Sequence, residues 1–352
     1  MVARKRRPKT KVKSRVREQA GIDEDLQRAK QEASRKFLSK PHPFPRASRH
    51  LISADPIHNV VGVGIGPKRV DGRDTDVICV RLYVRDKLRG RRVTKKHALP
   101  AKIGGFATDV IEVGTPRVLH GLSMQRMRPA RPGCTIAAAA LTEISGDFPG
   151  TFGALVQDTA GKLFILSNNH VLAVEELCPL GTTIFQPGGP AASNRIGKLA
   201  SVISFNPTRR TKVDCALAAI TSASSVSGSP LSPVGPLSSA SPVAAQVGMI
   251  VEKFGSGTGH TVGTITDVSA DFQIDEYITG TVFLEGQIQI SDGAEPFCAA
   301  GDSGALVVDK ASKRATGLLA IAMGGFALAN HLSVVLDQLG AQLNSALRLK
   351  IS

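Results

Sequence analysis

Three polar residues of this sequence, His170, Asp214 and Ser303, are of the types that together activate a serine hydroxyl. A serine hydroxyl is a weak nucleophile at neutral pH, so it needs a base, and the base needs a partner that fixes its tautomer. Each of the three lies in a short motif: Gly-Asp-Ser-Gly at 301–304, Ser-Asn-Asn-His at 167–170 and Val-Asp-Cys-Ala at 213–216. The sequence therefore predicts a catalytic triad in which Ser303 is the nucleophile, His170 the base and Asp214 the orienting carboxylate.

Each motif has an ordinary explanation when it is considered alone, because glycine, aspartate and serine are common in turns. A lone histidine is more often a core or capping residue, and an aspartate before a strand is most often solvated. The neighbouring residues favour the catalytic interpretation. A strand-like run at 162–166 precedes the histidine, and apolar runs follow the aspartate at 216–220 and the serine at 305–308. All three residues are thus predicted at strand ends, where a rigid sheet can direct them into one cleft.

The order His, Asp, Ser along the chain is that of the chymotrypsin type. Residues from about 134 to 345 resemble chymotrypsin-fold serine peptidases, and the nearest resemblance is to the disulfide-poor bacterial branch with Ser-Asn-Asn-His-Val-Leu around the base. A further match joins Ser-Gly-Thr-Gly at 256–259 to Gly-Thr-Ile at 263–265, which is similar to a hairpin of α-lytic-type bacterial proteases. The resemblance implies a mainly β fold of two six-stranded antiparallel β-barrels with a C-terminal helix.

The resemblance also implies the roles of the residues around the nucleophile. In the family, the backbone N–H groups at the positions of Gly301 and Ser303 form the oxyanion hole. Asp302 matches the family's aspartate before the serine, which in activated zymogens pairs with a freshly cut N-terminus. No cleavage sequence of that kind precedes the first barrel, so Asp302 is expected to pair with a residue inside the chain that the sequence does not name. No metal or other cofactor is expected.

Substrate specificity is predicted from Phe297 and Cys298, which lie where the family forms the base of the P1 pocket. Trypsin-like members carry an aspartate six residues before the serine, and here that residue is Phe297. An aromatic ring cannot offset the desolvation of a cationic side chain as a carboxylate can. Cleavage after Lys or Arg is therefore disfavoured, although Asp292 and Glu295 are near in sequence, and a small or apolar P1 residue is expected.

The strand that would bind the substrate backbone is predicted at 317–322. Its candidate contact residues are Ala320, Ile321 and Ala322. In this register Ala320 replaces the serine that the family carries. This replacement removes one hydrogen bond to Asp214 and therefore predicts reduced activity.

The composition fits a large β-rich protein. The chain has 352 residues, 42% of them hydrophobic, with 35 glycines, 20 prolines and a mean hydropathy of +0.02. This length predicts two or three domains. We expect them in this order: a basic arm with an amphipathic helix at 1–50, a small α/β unit at 51–120, a linker at 121–133, and a protease domain at 134–345 whose barrels span about 134–220 and 243–332.

The net charge of +15 is concentrated at the N-terminus. Residues 1–50 hold 16 Lys and Arg against five Asp and Glu, a net charge of +11. Apolar residues recur at helical spacing over 22–39, which predicts an amphipathic helix. Two interpretations stay open: the arm binds a polyanion or an acidic partner, or it is a solubilising leader whose helix packs on the body. Deletion of residues 1–50 is expected to leave peptidase activity on a short peptide largely intact.

The five cysteines are odd in number, and none lies in a Cys-x-x-Cys pair. Buried thiols in a reducing compartment are their expected state. The N-terminus has no apolar leader, and no apolar run reaches transmembrane length. The sequence thus predicts an intracellular serine endopeptidase of the bacterial cytoplasm that acts on a protein or peptide substrate. The alternative is a weak or inactive protease-fold module that binds proteins, with polyanion binding through the basic N-terminus.

Overall fold

A computed structural model describes residues 24–38, 59–70, 73–87, 98–114, 117–118, 125–139, 149–189, 191–205, 209–293 and 295–351. Most of the predicted basic arm and the start of the predicted linker lie outside these ranges. Within them, no helix is both long enough and apolar enough to cross a membrane.

The N-terminal part of the chain contributes helix α1 (Glu24–Phe37) and strands β1 (Val60–Val70), β2 (Arg73–Val84), β3 (Lys102–Ile103), β4 (Phe106–Glu112) and β5 (Arg117–Val118). The first barrel region contributes β6 (Thr135–Ala138), β7 (Gly150–Thr151), β8 (Ala154–Gln157), β9 (Leu163–Ser167), α2 (Asn169–Leu172), β10 (Thr183–Phe185), β11 (Arg195–Val202) and β12 (Ala216–Ile220). The second contributes β13 (Ile250–Gly255), β14 (Gly259–Tyr277), β15 (Gly280–Asp292), β16 (Leu306–Asp309), β17 (Ala315–Met323) and β18 (Phe326–His331), followed by α3 (Leu332–Leu343) and β19 (Arg348–Leu349).

Strands β6 to β12 form the first antiparallel barrel, which is six-stranded when the consecutive strands β7 and β8 are counted as one. Strand β8 pairs with β9, which is followed in the sheet by β12, β11, β10 and β6. Strand β6 then pairs with β7, and β7 continues into β8 across a break at Phe152 and Gly153, so the barrel closes on itself. A Cβ at Gly153 would lie 2.2 Å from the carbonyl oxygen of Gly304. Glycine therefore allows this break to approach the second barrel closely.

Strands β13 to β18 form the second barrel. Strand β13 pairs with both β16 and β14, and the sheet runs from β16 through β17, β18 and β15 back to β14. Buried aliphatic side chains such as Val251, Ile265, Ile290 and Leu319 fill its interior. Helix α3 follows the last strand and buries Leu332, Val335, Leu336 and Leu339. The two predicted barrels and the C-terminal helix are confirmed.

The predicted α/β unit is joined to the second barrel through strand pairing. Strand β1 pairs with β2 along one edge and with β14 along the other, where Gly62 is opposite Phe272. A Cβ at Gly62 would lie 2.3 Å from the Phe272 ring, so a larger residue would separate the two strands. Strand β2 in turn pairs in parallel with β4. The N-terminal strands therefore extend the sheet of the second barrel, a connection that the sequence does not indicate.

Helix α1 packs on this extended sheet. Its apolar face buries Leu26, Ala29, Ala33 and Phe37. Two polar residues of the same face, Lys30 and Ser34, are also buried because both donate hydrogen bonds to the carboxylate of Asp271 on β14, at 2.5 and 2.7 Å. Helix α1 therefore agrees with the second interpretation of the basic arm, in which its helix packs on the body of the protein. The residues before it lie outside the described ranges.

Candidate active site

The two barrels bring His170, Asp214 and Ser303 to their junction. Strand β9 ends directly before α2, which carries His170, while Asp214 precedes β12 and Ser303 lies in the turn before β16. The Nδ1 atom of His170 lies 2.5 Å from Oδ2 of Asp214, and the His170 backbone N–H donates to Oδ1 of the same carboxylate at 3.3 Å. The backbone N–H of Thr151 in the first barrel donates to the Ser303 carbonyl oxygen at 2.7 Å, which fixes the nucleophile turn to that barrel.

The hydroxyl of Ser303 is directed towards strand β17 in this structure. Its Oγ donates to the carbonyl oxygen of Ala320 at 3.2 Å. The Nε2 atom of His170 is buried and has no hydrogen-bond partner among the described residues. The structure therefore brings the imidazole of His170 and the carboxylate of Asp214 into contact but holds the Ser303 hydroxyl on Ala320. Ser303 has no exposed surface, and His170 is only 4% exposed.

Asp214 is held by a buried polar network that the sequence analysis did not identify. The hydroxyl of Tyr277 donates to Oδ2 of Asp214 at 2.7 Å. The Asn168 side chain donates to the Asp214 carbonyl oxygen at 2.7 Å, and the Asp214 N–H donates to Oδ1 of Asn330 at 3.0 Å. Gln287 accepts a hydrogen bond from the Asn330 amide group at 2.6 Å. Because these partners come from both barrels, the orientation of Asp214 depends on how the barrels pack.

Tyr277 supplies the hydrogen bond that Ala320 cannot make. The expectation that this alanine leaves Asp214 one hydrogen bond short is wrong, because a tyrosine hydroxyl from the end of β14 reaches the carboxylate. Burial, together with the nearby charge of Asp214, raises the pKa of Tyr277 well above its usual range. The phenol therefore remains protonated and remains a donor at every pH at which the protein would work.

Lys253 is the internal partner of Asp302. Its Nζ lies 2.9 Å from Oδ2 of Asp302, and neither side chain has exposed surface. Further donors complete the site: the Thr258 hydroxyl and the Ala299 N–H reach Oδ2, and the N–H groups of Gly257 and Thr258 reach Oδ1. Burial lowers the pKa of Lys253, whereas Asp302 acts to raise it. The residue before the nucleophile is thus held without a free N-terminus.

The turn that would form the oxyanion hole is held in place by hydrogen bonds to the carbonyl oxygen of one of its residues, Gly301. The carbonyl oxygen of Gly301 accepts hydrogen bonds from the hydroxyls of Thr151 and Ser256, each at 2.7 Å. Gly301 has a φ of 95°, a left-handed conformation that glycine adopts without the strain imposed on other residues. A fixed peptide orientation is what an oxyanion hole requires, because its donors must be in place before charge develops.

Solved structures of similar fold were found for this chain. A glutamic acid-specific serine protease is 18% identical, with a TM-score of 0.44 over 63% of this chain and 100% of its own. A chymotrypsin of Cellulomonas bogoriensis is 21% identical (TM-score 0.41, 63% of this chain and 99% of its own), and a protease of Nocardiopsis is 20% identical (0.42, 63% and 100%). The fold resembles that of chymotrypsin-like serine proteases. No family model and no curated protein matches the chain. At these identities the likeness concerns the fold alone.

The predicted specificity residues occupy two environments in the second barrel. Phe297 is fully buried in the interior of the second barrel, and its carbonyl oxygen accepts a hydrogen bond from the Thr261 hydroxyl at 2.6 Å. Cys298 is 9% exposed beside it. Ile321 and Ala322 lie on the edge of β17, where they pair with β5. Their part in substrate specificity stays a prediction.

A left-handed turn directly after α2 was also missed. Val174, Glu175 and Glu176 have φ values of 50°, 56° and 71°, which L-residues rarely adopt in succession. Glu175 accepts a hydrogen bond from the Thr279 N–H at 2.8 Å, and Glu176 accepts one from the Phe205 N–H at 2.6 Å. Burial raises the pKa of Glu175. These bonds hold the end of the helix that carries His170, and no residue pattern in the sequence indicates them.

Proposed function

We propose that the protein is a serine endopeptidase in which Ser303, His170 and Asp214 act as nucleophile, base and orienting carboxylate. The observation that supports this most directly is the 2.5 Å contact between His170 Nδ1 and Asp214 Oδ2 at the barrel junction that also holds Ser303. With Nδ1–H donated to the carboxylate, Nε2 carries the lone pair and is able to accept a proton.

The first step requires a rotation of the Ser303 side chain. Its Oγ would leave the Ala320 carbonyl oxygen and donate to Nε2 of His170, which has no partner within the part of the chain that the structure describes. Oγ then attacks the substrate carbonyl carbon while its proton moves to Nε2. The leaving amine takes that proton as the peptide bond breaks, and water hydrolyses the resulting acyl-enzyme by the same route in reverse. Asp214, held by Tyr277, stabilises the imidazolium in both halves.

The negative oxygen of each tetrahedral intermediate would be bound by the N–H groups of Gly301 and Ser303. The hydrogen bonds that fix the Gly301 carbonyl and the carboxylate of Asp302 support this role, because they order the turn in advance of the reaction. We further propose a preference for small or medium apolar P1 residues, based on Phe297 and Cys298. Profiling on a mixed peptide library tests this preference, and dominant cleavage after Lys or Arg would contradict it.

The setting of the enzyme and its further partners are proposals of the same kind. All five cysteines are buried and none of them forms a disulfide bond, which favours a reducing, intracellular environment. Binding of a polyanion or an acidic partner by residues 1–50 stays a prediction that rests on their net charge of +11. A salt titration of binding to a polyanion such as heparin tests it, because charge-driven binding weakens as salt rises.

A fluorophosphonate label tests the proposed function. The label should modify wild-type protein at Ser303, and labelling should disappear in Ser303→Ala and His170→Ala. Ser224→Ala, which changes an exposed serine, is the matched control and should label like wild type. On peptides, loss of Ser303 or His170 should lower kcat by about 10⁶ and loss of Asp214 by about 10⁴.

The second candidate is a catalytically inactive module that binds proteins. The direction of the Ser303 hydroxyl, towards Ala320 instead of His170, is the observation that favours it. A folded wild-type protein that takes up no label would decide for this candidate, whereas a label that persists in Ser303→Ala would show that the assignment of Ser303 as nucleophile is wrong.

A further inference from the structure

The edge of β17 is shared by two strands of very different origin. Strand β16 pairs with the first half of β17, where Leu306 is opposite Leu318, and the Leu319 N–H then donates to the Ala305 carbonyl oxygen at 2.9 Å. Beyond that point β5 takes over the same edge. Val118 is opposite Ile321, and Arg117 is opposite Ala322. A segment from outside both barrels therefore pairs with the two residues predicted to bind the substrate backbone.

The segment follows the edge in the direction of the nucleophile. At its start, the Gly324 N–H donates to the Val113 carbonyl oxygen at 3.0 Å. The later pairs lie opposite Ala322 and then Ile321, so the chain runs antiparallel to β17 and approaches Ala320, the residue whose carbonyl oxygen holds the Ser303 hydroxyl. An extended peptide that adds to this edge would use the same backbone groups.

The nucleophile is closed in the same structure. Ser303, Ala320 and Ile321 all have no exposed surface. A peptide substrate must reach Ser303 Oγ, and in this conformation its access is blocked. The pairing of β5 with the edge of β17 and the burial of Ser303 both indicate a resting state of the protein.

We propose that β5 is an intramolecular occupant of the peptide-binding edge of β17, so that a peptide binds at Ile321 and Ala322 only after β5 has left. The proposal rests on the proposed function for the identity of this edge. The apparent affinity for peptide then equals the intrinsic affinity multiplied by the fraction of molecules in which β5 is detached. Weakening β5 raises that fraction without any change to the triad.

Proline substitutions in β5 test this competition through the backbone alone. In an antiparallel pair only alternate residues exchange N–H···O bonds. Of Arg117→Pro and Val118→Pro, one therefore removes a donor to β17 and the other does not. Both are made in a Ser303→Ala background, so that peptide binds without turnover, and Arg117→Ala and Val118→Ala serve as controls that keep every backbone donor. Binding of a fluorescein-labelled Ala-Ala-Val-Leu peptide is measured by fluorescence anisotropy.

One proline variant should bind the peptide about tenfold more tightly than its parent, while the second proline variant and both alanine variants stay close to it. In the active background the same proline should lower KM by a similar factor and leave kcat unchanged. Thermal unfolding checks that each variant is folded. Equal binding in all variants, weaker binding in both proline variants, or no binding in any would overturn the proposal. Peptide binding is measured in the Ser303→Ala background, whereas fluorophosphonate labelling requires the Ser303 hydroxyl. A failure of the competition proposal is therefore distinguishable from a failure of the proposed catalytic function.

Discussion

Replacement of Lys253 with methionine should destabilise the protein by about 3–5 kcal/mol, the range that follows the removal of one partner from a buried ion pair. Methionine keeps most of the volume of the lysine side chain and removes its charge. The decrease in the free energy of unfolding therefore measures the cost of leaving the Asp302 carboxylate without its cation. Both side chains are fully buried, which means that water cannot replace the ammonium group. This placement distinguishes the pair from exposed ion pairs, which contribute little.

The local hydrogen bonds set the expected value within that range. Asp302 would keep donors from Thr258, Gly257 and Ala299 at 2.6–3.0 Å. These donors stabilise the negative charge in part, so the lower end, about 3 kcal/mol, is expected. Fluorophosphonate labelling of Ser303 should also slow, because Asp302 directly precedes the nucleophile and fixes its turn.

Urea unfolding of four proteins measures the effect: wild type, Lys253→Met, Asp302→Asn and the double variant. The double variant should be more stable than the sum of the single losses predicts, because neither charge is then left alone. Lys310→Met changes an exposed lysine and should stay within about 0.5 kcal/mol of wild type. Acid neutralises the unpaired carboxylate, so the deficit of Lys253→Met should shrink as the pH falls. A deficit below about 1 kcal/mol, or additive losses in the double variant, would refute the assignment of Lys253 as the counter-charge.

Three further predictions concern the network around β14. Tyr277→Phe should lower kcat by about tenfold or more, the value of a hydrogen bond to a charged group, and an unchanged kcat would contradict the positioning role. Asp271→Asn should lower the free energy of unfolding, measured in urea, by about 3–5 kcal/mol, because it leaves the buried Lys30 ammonium group without its carboxylate. A decrease under about 1 kcal/mol would show that the ion pair is not formed. Burial raises the pKa of Asp267 from 3.8 to about 6, so the stability that its bound proton contributes is complete below about pH 4 and is lost between there and just above pH 6, on the order of 3 kcal/mol in total. Urea unfolding of wild type against Asp267→Asn at about pH 4 and about pH 7 should show wild type losing stability relative to the variant as the pH rises, and a constant difference would contradict it.

The two barrels were expected from the resemblance to a known family, whereas the candidate triad could be predicted because its signals are local. Each triad residue adjoins an apolar run, and the β-strands of the first barrel follow those runs closely. The long strands of the second barrel have a weaker local signal. Strands β14 and β15 are 19 and 13 residues long, yet polar residues such as Asp267 and Asp271 interrupt their apolar pattern. Those carboxylates are buried because partners elsewhere in the fold satisfy them, and such partners are not visible in a short window of sequence.

The residues that were missed all act over long distances in sequence. Tyr277 lies 63 residues from Asp214, and Asn330 lies 116 residues from it. Lys253 and Asp302 are 49 residues apart. No motif has a spacing that relates these positions, since only the closure of the barrels places them together. An expected hydrogen bond was therefore assigned as lost at Ala320, whereas the fold supplies it from a strand end that has no equivalent signal in the sequence.

The position of β14 changes the expectation for the N-terminus. This strand pairs with β13 at its start and with β1 near Phe272. Its Asp271 accepts a hydrogen bond from Lys30 of helix α1, and its last residue, Tyr277, donates one to the carboxylate of Asp214. Helix α1 and strand β1 are therefore packed on the same strand that holds the carboxylate of Asp214. A truncation that ends before α1 leaves these contacts in place, whereas the deletion of residues 1–50 removes Lys30 and leaves the Asp271 carboxylate without its buried cation. The basic arm is thus divided at Glu24, and from that residue onward helix α1 belongs to the body that supports the candidate active site.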